Sequence, residues 1–216
     1  MKIGLIRVIT LDDPEQTGLH GRILEERFPG LEVFSRCIPG QPRGVFDKKT
    51  EQEAAPKIAE LGQRMAETGG AEAIIISCAS DPGLAELRGA VGIPVIGAGT
   101  AVAALALVLS DRVATMGITG QTPDRMREIL GPRLVGEVRP GGVSTTLDLL
   151  TEQGKNASRE ACKKLAKESG AGVIALSCTG YATIGFAAEL AQAAGIPVLD
   201  PLIAAGYAVL YTGTSD

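Results

Sequence analysis

The chain has no tryptophan, three tyrosines, four phenylalanines and a single histidine, His20. So few aromatic rings leave little on which unpaired bases could stack. A net charge of −4 removes the basic footprint that nucleic-acid binding requires, so no nucleic-acid partner is expected. One histidine, with no two cysteines close in sequence, supplies no metal-ligand cluster, and no metal is expected. A serine or cysteine hydrolase needs a histidine base. His20 lies on an amphipathic helical stretch and reads as a solvated helix residue. Neither GxGxxG nor GxxxxGK[ST] occurs, so nucleotide cofactors have no motif, and Gly97-Ala98-Gly99 reads as a tight turn before a helix. No cofactor is expected.

Long apolar runs are also missing. The longest, Ala101–Leu109, falls well short of the about 20 residues that span a bilayer. Met1–Val8 is too short for a signal peptide. Four dispersed cysteines in 216 residues are no disulfide framework. These absences predict a cytoplasmic protein with free thiols and no membrane partner.

What is present is a large apolar fraction, 45%, and an internal duplication. AEAIIISCASDPGL, from Ala71, runs on to GIPVIGAGTAVAAL; AGVIALSCTGYATIG, from Ala171, runs on to GIPVLDPLIAAGYAVL. In each copy an apolar β-branched run ends on Ser-Cys, a polar turn and a helix follow, and then comes Gly-Ile-Pro-Val. Cys78 and Cys178 lie 100 residues apart, and Gly92 and Gly195 lie 103 apart. A fainter echo of RILEERFPGLEV (Arg22–Val33) in RMREILGPRLVGEV (Arg125–Val138) extends the duplication over most of the chain.

In chain order, Lys2–Val8 reads as a buried strand, Gly18–Phe28 as a helix and Leu31–Cys37 as a second strand. Ile38–Lys49 is a long loop, of a length often used for binding. Glu51–Thr68 is helical, with Pro56 expected in its first turn or at a kink. Ala73–Ser77 is a strand, Asp81 is expected to cap a helix with Pro82 in its first turn, Pro94–Ile96 is a short strand, and Thr100–Leu109 is an apolar helix. The second half repeats the order. Arg112–Ile118 is a strand, Thr122-Pro123 starts a helix through Leu130, and Ser144–Glu168 gives one or two helices broken near Gly154. Val173–Ser177, Ile184–Ala194, Pro197–Leu199 and Leu202–Tyr211 complete the set.

Alternating strands and helices imply parallel sheets covered on both faces. The expected fold is α/β, with two pseudo-symmetric lobes, each a parallel sheet flanked by helices in the Rossmann or flavodoxin-like manner. Residues 1–98 plus 205–216 would form the first lobe and residues 99–204 the second, with the active site in the cleft between them. Ligands in such sheets bind beyond the carboxyl ends of the strands, where both Ser-Cys pairs fall.

A thiol at a helix amino terminus has its thiolate stabilised, which lowers its pKa from about 8.5. One strand-end cysteine alone would read as a small buried hydrophobe, as Cys37 and Cys162 do. Two at matching places in a duplication, Cys78 and Cys178, point to catalysis. Thiols on opposite sides of a bound carbon suit stereoinversion, one removing the α-proton and the other delivering a proton to the opposite face. The enolate-like intermediate needs donors aimed at the developing oxyanion. The backbone amides over Ala79–Asp81 and Thr179–Tyr181, Gly180 among them, and the hydroxyls of Ser80 and Thr179 are the candidates. Arg7, at a strand's carboxyl edge, is a candidate partner for a carboxylate or ring carbonyl, or else a surface salt bridge. Thr119 is a further candidate substrate contact, while Thr122 reads as a helix cap.

CASDPGL (Cys78–Leu84) followed by PVIG (Pro94–Gly97), and SCTGYATIG followed by PVLD (Pro197–Asp200), resemble the two signatures of hydantoin racemases. The second Cys-Thr is also similar to that of glutamate racemase. The chain thus resembles the aspartate/glutamate/hydantoin racemase superfamily over nearly its whole length. The resemblance implies a cofactor-independent racemase of two α/β lobes, with Cys78 and Cys178 matching the family's catalytic cysteines. Departures exist. Arg7-Val8-Ile9-Thr10 stands where hydantoin racemases carry an Asn-rich turn and glutamate racemases an Asp-Ser. Thr100 stands where many hydantoin racemases have Glu, and Gly180 where glutamate racemases have His. The expectation is a racemase or epimerase of a small-molecule substrate, a 5-substituted hydantoin or related small amide, assembled as a homo-oligomer. An amino-acid racemase of the aspartate or glutamate type, a decarboxylase or a maleate-type isomerase of the same superfamily stay open. So does a non-catalytic two-lobe binding protein.

Overall fold

A computed structural model of the chain describes residues 1–213. Two four-stranded, all-parallel sheets are present, each covered by helices on both faces. In the first lobe β1 (Lys2–Arg7), β2 (Glu32–Cys37), β3 (Ala73–Ser77) and β4 (Val95–Gly97) lie in the order β2-β1-β3-β4. In the second, β5 (Val113–Met116), β6 (Leu134–Val138), β7 (Val173–Leu176) and β8 (Val198–Leu199) lie in the order β6-β5-β7-β8. The identical order is the duplication seen in the sequence, now extended to a strand, β6, that the echo in Arg125–Val138 covered. The chain turns in opposite directions on leaving β1 and β3, so a crevice opens beyond their carboxyl ends. The same holds for β5 and β7.

The helices are α1 (Pro14–Arg27), α2 (Lys48–Glu67), α3 (Leu84–Ala90), α4 (Ala98–Leu109), α5 (Asp124–Leu130), α6 (Glu152–Ser169), α7 (Gly180–Thr183), α8 (Ala187–Ala194) and α9 (Pro201–Thr212). On the first sheet, Ile6, Ile74 and Ile76 pack under α2 and α3, while Ile3, Leu5 and Ile75 pack against α1 and α9. The helix after each fourth strand crosses to the other lobe. Val102, Ala103 and Ala106 of α4 pack with Val113, Val173 and Ala175 of the second sheet. Leu202, Ala205 and Val209 of α9 pack with Ile3 and Leu5 of the first. The division at 204/205 drawn from sequence therefore falls inside α9, whose Leu202 already belongs with the first sheet. Among the described residues no helix is long and apolar enough to cross a membrane.

Three local expectations change. The second helix begins at Lys48, where Asp47 and Thr50 form a capping box, so Pro56 lies in the helix interior and not in its first turn. The break expected near Gly154 falls at Thr151, between a 3-10 turn (Asp148–Leu150) and α6. Gly154 lies in the first turn of α6, its amide capped by the Thr151 hydroxyl at 3.0 Å, and a β-carbon there would run into the Asp148 carbonyl. Thr122 does not cap α5, whose N-cap is Pro123. Its hydroxyl donates to Glu137 at 2.6 Å and lies 2.5 Å from that of Thr115.

The largest correction concerns Asp81. It has a left-handed backbone, φ 52°, and does not cap α3, whose N-cap is Gly83. Its carboxylate instead accepts from the amides of Gly99 (2.8 Å) and Thr100 (2.6 Å) and from the Thr100 hydroxyl (2.7 Å), capping α4 from outside. Gly97, the N-cap of α4, has no side chain because the Asp81 carboxyl fills that space, and Gly99 lies equally close to the Ala79 carbonyl. In the second lobe α9 is capped by its own Asp200, from Leu202 at 2.8 Å and Ile203 at 3.2 Å, and Tyr181 stands where Asp81 stands in the first.

Gly97→Ala and Gly99→Ala should each destabilise the protein by about 1–3 kcal/mol through overpacking. That lowers Tm by about 2–4 °C per kcal/mol at this chain length. Gly89→Ala, on the open side of α3 with nothing within 4 Å of the added carbon, should raise Tm slightly. Calorimetric melting of the three variants checks this, and equal stability of Gly97→Ala and wild type would refute the packing argument.

Candidate functional site

Cys78 and Cys178 leave the carboxyl ends of β3 and β7 and both border one cavity of about 740 Å³ between the lobes, within the size range of small-molecule sites. Each residue is buried, 8% and 6% exposed. The turns that carry them are tied across the lobe boundary. The Thr179 hydroxyl donates to the Ser77 carbonyl at 3.1 Å. His20 Nδ1 lies 2.7 Å from the Ser77 hydroxyl and Nε2 lies 2.8 Å from that of Thr183. His20 is thus buried at the junction of the lobes, not solvated as its helix position suggested. With both ring nitrogens bonded and Arg7 nearby, burial followed by the Arg7 charge holds it well below the ordinary histidine pKa, in the neutral form.

The thiols do not have the lowered pKa expected of helix-terminal cysteines. Burial pushes Cys78 up to about 11 and Cys178 up to about 12. The helices offer little to oppose this, because α3 begins six residues after Cys78 and α7 has only four residues. What does favour the thiolates is local. The hydroxyl of Ser80 lies 3.3 Å from Cys78 Sγ and its amide adds a second contribution, while the Gly180 amide donates to Cys178 Sγ at 3.3 Å. The charge on Cys78 raises Cys178 further, and the helix-capping carboxylates oppose ionisation as well, Asp81 for Cys78 and Asp200 for Cys178. Burial in turn raises these two aspartates to about 6.

The other residues singled out by sequence divide. Ala79, Ser80, Thr179, Gly180, Arg7 and Thr119 all border the cavity; Asp81 does not, being turned to α4. The amides of Asp81 and Tyr181 close turns onto the carbonyls of Cys78 and Cys178 at 3.2 and 3.4 Å. The amides of Ala79 and Thr179 have no protein acceptor among the described residues, and in the second turn neither has that of Cys178. The Thr179 hydroxyl is committed to Ser77, and the Thr119 hydroxyl to the Gln121 carbonyl at 2.7 Å. Arg7 is no surface salt bridge. It is buried, and its Nη1 donates to the helical carbonyls of Gln16 (2.9 Å) and Thr17 (3.4 Å). Thr100 is held by Asp81 and does not border the cavity.

The Ile38–Lys49 loop, singled out in the sequence for its length, closes one side of the cavity's mouth, with Val45 and Phe46 lining the cavity and Phe46 packing on the second lobe's core. The rest of the mouth was not legible in the sequence. Lys48 reaches Asp124 across the opening at 2.8 Å, and Leu147 and Leu150 line it while half exposed. His20 was legible in one respect: it shares an i, i+4 row with the buried Leu24 and Phe28.

A family model described as Asp/Glu/hydantoin racemase matches residues 21–207. The hydantoin racemase of Paenarthrobacter aurescens is 29% identical over 188 residues, covering 80% of this chain and 75% of that protein. The hydantoin racemase of Rhizobium meliloti is 30% identical over 155 residues, covering 68% and 62%. Among solved structures, the allantoin racemase from Klebsiella pneumoniae superposes with a TM-score of 0.84 at 26% identity, covering 98% of this chain and 86% of that one.

Because only the thiolate is alkylated, Cys78 and Cys178 in the ligand-free protein should react slowly with iodoacetamide at pH 7. Their rates should climb about tenfold per unit as pH rises towards 10, below both raised pKa values. Peptide mapping of the labelled protein measures this, and rapid labelling of either residue at pH 7 would contradict the effect of burial.

Proposed function

This chain belongs to the Asp/Glu/hydantoin racemase family, and from that premise we propose that it is a cofactor-independent racemase inverting an acidic α-carbon between Cys78 and Cys178. The proposed substrate is a 5-substituted hydantoin or a related small amide. The observation that carries this reading is that equivalent turns of the two lobes each deliver a cysteine to the same small-molecule cavity.

The chemistry asks for one thiolate and one thiol at the same time. Mutual repulsion favours that state, because a charge on Cys78 opposes ionisation of Cys178 and the pair titrates in two separate steps. For the enantiomer whose α-hydrogen faces Cys78, that residue acts as the base. Its thiolate takes the α-proton, the C–H electron pair moves into the adjoining carbonyl, and the Cys178 thiol delivers its proton to the opposite face, leaving Cys178 as thiolate. For the other enantiomer the roles exchange. The free amides of Ala79 and Thr179 are suited to hold the developing oxyanion, where preorganised donors in a water-poor site act most strongly.

Cys78→Ser and Cys178→Ser should each lower racemisation of both enantiomers by about a hundredfold or more, the scale of general acid–base catalysis. Chiral chromatography of 5-substituted hydantoins measures this, and substrate recovered from deuterated water should carry deuterium at the α-carbon. Full activity in either variant removes that thiol from the mechanism, and inversion without label removes solvent-exchanging thiols altogether.

A further inference from the structure

The cleft contains a buried positive charge with no carboxylate partner among the described residues. Arg7 ends β1, paired in register with Cys37 on one side and Ser77 on the other, and is 7% exposed. Its protein hydrogen bonds are those of Nη1 to the Gln16 and Thr17 carbonyls. Among the described residues no carboxylate lies within 4.0 Å of it. The cavity's acidic groups are engaged elsewhere. Asp124 and Glu51 face Lys48 at 2.8 and 3.6 Å, and Asp47 caps α2. Beside Arg7 stands His20, kept neutral by burial and by the Arg7 charge itself.

A buried ion without a counter-ion costs several kcal/mol, and proteins bury arginine where its planar fork meets a carboxylate or phosphate. Among the described residues the guanidinium has no other protein acceptor, and Arg7 borders the cavity together with Gln16, His20 and Thr183. Burial also pulls the Arg7 pKa down to about 10, and an anion in the cavity would reverse that effect.

We propose that Arg7, flanked by Gln16 and His20, is a carboxylate subsite, so that the substrate carries an ionised carboxylate on its substituent in addition to the carbonyl group beside the inverted carbon. This rests on the racemase reading for the position of the inverted carbon, but the subsite itself is a statement about charge and is measured by binding. The substrate class becomes an acid-substituted hydantoin or small amide. A neutral substituent of the same shape leaves the guanidinium unpaired and is discriminated against.

The test compares 5-(2-carboxyethyl)hydantoin with its carboxamide, 5-(2-carbamoylethyl)hydantoin, which differs in charge at nearly equal size. Calorimetric titration of the wild type should give at least about tenfold tighter binding of the acid. The ratio should fall to about one in Arg7→Met and be partly retained in Arg7→Lys, which keeps the charge and serves should the methionine variant not fold. His20 is the chain's one histidine, so its imidazole NMR signals report from beside the subsite. They should move with the acid and not with the amide. Equal binding of the two compounds by wild type, or an acid preference surviving in Arg7→Met, overturns the subsite. Deuterium exchange at the α-carbon, followed in the same samples, judges the racemase reading separately. Acid preference without exchange on either compound keeps the subsite and removes the racemase; exchange on both without preference does the reverse.

Discussion

The two cysteine-bearing turns are held in one cleft by a small set of polar contacts centred on Ser77. Its carbonyl accepts from Thr179 of the opposite lobe, and its hydroxyl meets His20, which reaches Thr183. Ser77, Thr179 and His20 are buried and Thr183 half-buried, and an unmade hydrogen bond in a buried place costs about 1–3 kcal/mol. The lobes therefore cannot drift apart without stranding several donors and acceptors at once. The exchange of α4 and α9 between lobes adds an apolar component to the same constraint. The cleft is thus walled by lobes that share both polar and apolar contacts.

Pseudo-symmetry governs the backbone, and its departures govern the chemistry. Both sheets share one strand order and both turns begin Ser-Cys. Yet Cys78 is approached by a serine hydroxyl and amide and Cys178 by a glycine amide. One following helix is capped by a carboxylate from the turn, the other by its own N-cap. Arg7 belongs to the first lobe, while the equivalent strand of the second ends in Met116-Gly117. The cavity therefore has two similar thiols but two unlike ends. On the proposed racemase reading, such a cleft could treat mirror-image carbons alike while still fixing the rest of the molecule.

Much of this architecture was legible from local pattern. The β-branched run, Ser-Cys, turn and Gly-Ile-Pro-Val recur because each unit must form a buried parallel strand, a turn and a covering helix. What was not legible depends on residues distant in the chain. His20 looked solvated because the surface that buries it is supplied by Ser77 and by Thr183, 163 positions away. Asp81 was read as the cap of the helix next to it, whereas its partners are Gly99 and Thr100. Thr122 was read as a cap for the same reason, its real partners being Thr115 and Glu137. The sign of the cysteine pKa shift was misjudged because burial, which pattern does not reveal, outweighs the one or two donors near each sulfur.

A single cause, removal of water, acts on buried groups that line the cleft and on two aspartates, Asp81 and Asp200, that lie outside its lining. It pushes both thiols and both capping aspartates up, pulls Arg7 down and keeps His20 neutral. In a wet site each group would hold its charge cheaply and respond weakly to its neighbours, since Coulomb energies shrink as the effective dielectric rises. In the dry site, charge on one group is felt by the next, and an anion entering the cleft alters them all. An anionic group at Arg7 would offset the buried guanidinium and ease the positive field that keeps His20 unprotonated. The burial that raises both thiol pKa values thus also makes the groups of the cleft sensitive to any charge that enters it.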